Sequence, residues 1–107
     1  MPITIGSLGT GQLAAAKATI YTCPALTTAI VRLIKMVNTG AAANAVNLYI
    51  KEAAGTSRRL WPVALSMPSG YAAEEKGVIT LSAGDVLEGD ATVANEVDYS
   101  ISGVERT

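Results

Sequence analysis

The chain has 107 residues, half of them hydrophobic and only 16% charged, with a net charge of −1, no histidine and one cysteine. That length fits one domain, and lysines and arginines scattered without a cluster exclude the electrostatic footprint of a nucleic-acid binder. The apolar runs are broken by Arg32, Lys35, Arg58 and Arg59, far short of the ~20 uncharged residues of a spanning helix, so no membrane crossing is expected.

Met1 to Ala16 lacks a basic start followed by an uninterrupted apolar stretch, so no secretory signal is expected either. With mean hydropathy positive, the apolar excess needs another destination. Contacts between subunits are the natural one, since obligate interfaces are more apolar than ordinary surface.

In chain order, Ile3 to Gly11 holds three glycines, a serine and two threonines around isolated apolar residues, a composition that resists a regular element. Residues 1–13 are therefore read as an extended N-terminal arm, and 14–107 as the domain. Lys17 to Cys23 is dominated by alternating β-branched and aromatic residues and predicts a strand. Pro24 ends it, having no amide hydrogen for a ladder. Ala25 to Asn38 is ambiguous. Ile30, Leu33, Ile34 and Val37 share a helical face, and Pro24 and Gly40 sit where helix boundaries favour them. Yet Ala29, Val31, Leu33 and Val37 alternate, and β-branched residues are frequent. Periodicity leaves both readings open.

Asn44 to Glu52 alternates Val46, Leu48 and Ile50 with Asn47, Tyr49 and Lys51 and predicts a strand, bounded by turns at Asn38 to Asn44 and Ala53 to Ser57. Arg58 to Met67 is rich in apolar residues, but Pro62 limits it to an edge or interrupted strand. Pro68 to Gly70 is a turn. Val78 to Leu81 and Val86 to Glu88 read as consecutive strands joined at Gly84. Glu96 to Val104 closes the chain with Val97, Tyr99 and Ile101 facing one way. Short strands with turns at such spacing predict a sandwich or barrel.

Chemistry is sparse in this sequence. Without histidine the commonest general base is missing, and no serine, nor Cys23, lies in a nucleophile turn, so no catalytic site is expected. One cysteine gives neither an internal disulfide nor a zinc set, and Cys23 reads as a small core hydrophobe. No cofactor is expected. Gly6 to Gly11 loosely resembles a phosphate loop but lacks the Gly-Lys-Ser/Thr ending. Asp85, Glu88 and Asp90 offer oxygen ligands at a spacing that matches no helix-loop-helix calcium site, and a solvated turn is the preferred reading. Arg58, Arg59 and Trp61 offer planar faces for a sugar or base, and are equally types enriched at interface hot spots; the interface reading is preferred.

Several stretches carry a resemblance: Ala18-Thr-Ile-Tyr-Thr-Cys-Pro24, Ile30 to Asn38 running on through Thr39-Gly40, Val46-Asn-Leu-Tyr-Ile50, Arg58-Arg59-Leu60, Ile79-Thr-Leu-Ser-Ala-Gly-Asp-Val86 and Val97-Asp-Tyr-Ser-Ile-Ser-Gly-Val-Glu105. Together they resemble small virion structural proteins of tailed bacteriophages, from residue 18 onward. The chain departs from that pattern at Cys23 and Leu26, where a small apolar residue and a glycine or lysine turn are expected. The resemblance implies an all-β, single-domain antiparallel sandwich of jelly-roll character, with 25–38 as a strand. It further implies a non-enzymatic virion component assembled in the bacterial host cytoplasm. That component is a capsid decoration or cement protein, often trimeric, bound to the major capsid protein or other virion proteins; the alternative is a tail, collar or fibre piece with a receptor or glycan contact. An isolated carbohydrate-binding module is a weaker third class, because one tryptophan and four tyrosines in separate segments make no aromatic platform. The expected contact residues are Ile3, Ile5, Leu8 and Leu13 of the arm, with Arg58, Arg59 and Trp61.

Overall fold

The computed structural model describes residues 3–107. Among the described residues ten strands form two antiparallel sheets packed face to face. The first sheet orders β1 (Ile3–Gln12), β10 (Val97–Arg106) and β3 (Thr28–Asn38), with β7 (Ala72–Glu75) and β8 (Ile79–Leu81) sharing the far side of β3. The second orders β2 (Ala18–Thr22), β9 (Val86–Ala91) and β4 (Asn44–Lys51), with β5 (Arg58–Arg59) and β6 (Leu65–Met67) sharing the far side of β4. If β5 with β6 and β7 with β8 are each taken as one interrupted strand, four strands remain per sheet. Most connections then cross between sheets, consistent with the expected jelly roll.

The core is what a period of two dictates. β4 turns Val46 and Leu48 inward, β10 Val97 and Ile101, and β3 Ala29, Val31, Ile34 and Met36; Leu81 and Leu87 fill the gap between the sheets. Each of these is buried, and full burial of a valine, leucine, isoleucine or methionine side chain contributes about 1.5–3 kcal/mol. Cys23 joins them and donates its thiol to the Thr27 and Leu81 carbonyls.

The ambiguous segment is a strand, and its helical look has a structural cause. Pairing with β10 jumps from Leu33 with Ser102 to Val31 with Gly103, leaving Arg32 as an extra residue. This β-bulge puts both Val31 and Ile34 inward, a spacing of three that mimics a helix turn. Gly103 makes the bulge possible, because a Cβ there would lie 2.1 Å from the Ile30 carbonyl oxygen.

The expected arm requires correction. Ile3–Gln12 is an integral edge strand, paired with β10 along its length and bulged between Ser7 and Gly9. Its glycines reflect packing more than looseness: a Cβ at Gly11 would meet the Tyr99 hydroxyl at 2.8 Å. Leu13, also assigned to the arm, is fully buried in the core. Met1 and Pro2 of that arm lie outside the described residues.

The polar ends are pinned by side chains. Asn38 Oδ1 accepts from Gly40 N and Asn44 Nδ2, while Asn44 Nδ2 also reaches Glu96 Oε1 and Asn44 Oδ1 accepts from Val93 N. At the opposite end Asp85 accepts from Ser82 N at 2.9 Å and Ala53 N at 3.1 Å. There Gly84, at φ 87, carries the chain from β8 in one sheet to β9 in the other, so the two strands joined at this turn do not pair.

Candidate interaction surface

The outer face of the second sheet is a closed polar network. Asn47 donates to Asp90 at 2.7 Å and accepts from Arg59 and from Ala64 N. The Tyr49 hydroxyl donates to Asp90 at 3.1 Å, and the Tyr49 ring carries Lys17 Nζ at 4.7 Å and Arg59 Cζ at 4.9 Å from its centroid. Such cation–π contacts contribute ~0.5–1 kcal/mol each at exposed sites. Burial, and then the bond to Asp90, push the Tyr49 phenol above its ordinary range. Ser57 donates to Glu88 on the same face. These side chains satisfy one another.

The outer face of the first sheet is divided. Toward one end it is polar, with Gln12 donating to Asp98 and Lys35 exposed. Toward the other it is apolar. Ile3 and Ile5 pair with Arg106 and Val104 of β10, and Val104 in turn pairs with Ile30 of β3. Ile5 is 79% exposed and Ile3 59%. A groove of about 610 Å³ runs between Ile3, Ile30, Val104 and Leu26, and a second between Ile5, Gly103, Val104 and Arg32. Contiguous exposed apolar surface of this kind marks an interaction site more often than an isolated leucine does.

Leu26 adds an independent sign. It stands at φ 58 and is 91% exposed. A non-glycine residue in this left-handed region costs roughly 1–2 kcal/mol, and a strained residue whose side chain is left almost wholly exposed argues for a role outside its own subunit. This is the turn where the sequence departs from the expected glycine or lysine.

The sequence-derived contact residues do not form one site. Ile3 and Ile5 lie together on the apolar face. Leu8 is half-buried against the core at the β1 bulge, and Leu13 is inside it. Trp61 is also buried, its Nε1 donating to Glu75 at 2.9 Å, so it is no surface hot spot in this subunit. Arg58 and Arg59 are exposed on the edge strand β5 of the other sheet, away from the isoleucines. The periodicity of β3, open between helix and strand, did not single out Ile30 as a contact residue; the observed strand puts it on the face opposite Ala29 and Val31.

The chemically versatile groups are engaged internally. Burial raises the pKa of the Cys23 thiol, which disfavours the nucleophilic thiolate. Burial, with a hydrogen bond to Glu105, also raises that of Tyr21. The acidic trio is split among separate partners: Asp85 holds backbone amides, Glu88 holds Ser57, and Asp90 holds Asn47 and Tyr49. Gly6 to Gly11 lies within β1 and not in a loop leading to a helix.

No family model matches the chain, and no curated protein matches it. Solved structures do. A chain from Bacillus endospore appendages, described as a family of disulfide-linked pili, aligns with TM-score 0.54 and 17% identity over 98% of this chain and 88% of its own. A chain of the infectious bursal disease virus Gx strain aligns with TM-score 0.50 and 12% identity; this protein spans 97% of itself but only 32% of that chain. A pentameric capsid protein isolated from metagenomic phage sequences aligns at TM-score 0.43 and 15% identity, over 95% of this chain and 62% of the other. The likeness is one of fold.

Proposed function

We propose that this chain is a non-enzymatic structural subunit of a virus particle, a capsid decoration or cement protein whose apolar face seats on assembled coat protein. The observation that carries the reading is the gathering of Ile3, Ile5, Leu26, Ile30 and Val104 on one exposed face, opposite a face whose polar groups bond among themselves. The resemblance of the Ile79 to Val86 and Val97 to Glu105 motifs to phage virion proteins supports it, and the sandwich fold is compatible with it. The mechanism is mass action: a protein that binds only the assembled shell stabilises that shell in proportion to occupancy.

Electron micrographs of particles carrying a tagged copy test this directly. Label spread over the head is the expected result. Label at one vertex or along the tail would replace decoration by a tail, collar or fibre role, and absence of label from particles would overturn the virion reading.

A further inference from the structure

The four sheet edges are unequal. A strand edge exposes unpaired amides and carbonyls, and proteins blunt such edges with charge, proline, bulges or brevity. In the second sheet, β2 has five residues, a bulge between Thr19 and Tyr21, and Lys17 and Pro24 close by. On the other side β5 consists of two arginines and β6 has three residues. In the first sheet, β7 carries Glu74 and Glu75, and β8 has three residues.

β1 is the exception. It runs ten residues, Ile-Thr-Ile-Gly-Ser-Leu-Gly-Thr-Gly-Gln, with neither charge nor proline. Pro2 precedes it in sequence, and among the described residues its protective device is the bulge between Ser7 and Gly9, which leaves Ile3 to Ser7 as an unbroken stretch. That stretch carries Ile5, at 79% among the most exposed apolar side chains of the chain.

We infer that Ile3 to Ser7 of β1 pairs antiparallel with the same segment of a second copy, about a two-fold axis at Ile5, making one continuous sheet from two subunits. An isologous contact needs a self-complementary strand, and an uncharged one meets that requirement because no like charges are brought together. With strands ~4.8 Å apart, the outer-face cations of the next strands, Arg106 on β10 and Arg32 on β3, lie at least about 14 Å and 24 Å from their counterparts, beyond the ~8 Å screening length of physiological salt. Ile5 then faces Ile5 of the partner subunit, and the two apolar faces merge into one. A second copy fits this edge better than the edge of any other strand does, since each of those is short, broken or charged. The contact does not rest on the virion reading and survives if that reading fails.

Light scattering of the purified full chain should give the mass of a dimer. Ile5→Lys should raise the dimer dissociation constant at least tenfold while leaving the melting curve unchanged when it is recorded at dilution, where both chains are monomeric, because Ile5 touches little in its own fold. Paired residues on antiparallel strands lie about 4.5–5.5 Å apart between Cα atoms, within disulfide range, so Ile5→Cys should oxidise to a covalent dimer. Thr10→Cys, beyond the bulge, should not. Cys23 gives no background, being buried with its thiol engaged. A monomer, a trimer, or a dimer that cross-links through Thr10→Cys and not through Ile5→Cys would overturn the inference.

Discussion

The two outer faces of this sandwich are built from the same strand periodicity and end up with opposite surfaces. On the second sheet Asn47, Tyr49, Glu88 and Asp90 project outward, and neighbouring strands supply Ser57, Arg59 and Lys17 to bond them. On the first, Ile3, Ile5, Ile30 and Val104 project outward side by side, with the arginines Arg32 and Arg106 at their margin. Alternation fixes which residues point out; their chemistry decides whether the subunit is finished there. The second sheet is finished, and the apolar end of the first is not.

Perturbing each face should separate fold stability from association. The largest effect is expected at Gly103→Ala, beneath the apolar face. The added Cβ would sit 2.1 Å from the Ile30 carbonyl oxygen, and because that atom is backbone the strand itself must shift, so urea unfolding should show a loss of about 3 kcal/mol, at the upper end for overpacking.

Alkali should weaken the second sheet next. Tyr21 and Tyr49 both have phenols raised above the ordinary value near 10, so the unfolded chain ionises before the fold does. Their contribution is whole below pH 10 and declines as pH rises beyond it. Melting temperatures measured across that range should fall, and Tyr21→Phe should flatten the fall.

Asn47→Ala strips the donor from Asp90 and the acceptor from Arg59 and Ala64 N. It should cost about 1 kcal/mol in the same urea measurement, the net worth of ordinary hydrogen bonds whose partners water can reach, with no change in association. Leu26→Gly should do the reverse. Relief of the left-handed backbone should stabilise the isolated chain by about 1 kcal/mol, while loss of the leucine weakens its binding to particles. Smallest of all on the fold, Ile30→Thr should stay within ~0.5 kcal/mol and still reduce particle occupancy.

How far the sequence was legible follows the same division. β4 and β10 were readable because Val46, Leu48, Val97 and Ile101 alternate without interruption and face a buried sheet. β3 was not, because the Arg32 bulge inserts a residue and turns a period of two into a spacing of three. β7 gives no local signal at all: Ala-Ala-Glu-Glu is no strand by propensity, and only its pairing with Ile34 to Val37 makes it one. β1 was misread because its glycines look like slack, although Gly11 clears room for Tyr99. The apolar face was half legible. Ile3 and Ile5 were marked as contacts, but the undecided periodicity of residues 25–38 gave Ile30 no outward assignment, and Val104 and Leu26 reach the patch only through pairing registers and a turn that no local pattern reveals. Trp61 was misassigned for the ordinary reason that a large apolar ring beside two arginines looks exposed until Glu75 is seen to hold its indole nitrogen.

Hydroxyl-radical footprinting of the chain, isolated at dilution and again within the assembled particle, bears most directly on the claim that the apolar end of the first sheet's outer face is where this subunit is completed. Ile3, Ile5, Leu26, Ile30 and Val104 should lose reactivity on assembly while Tyr49 keeps its own. Protection of Tyr49 with the isoleucines still reactive would contradict it.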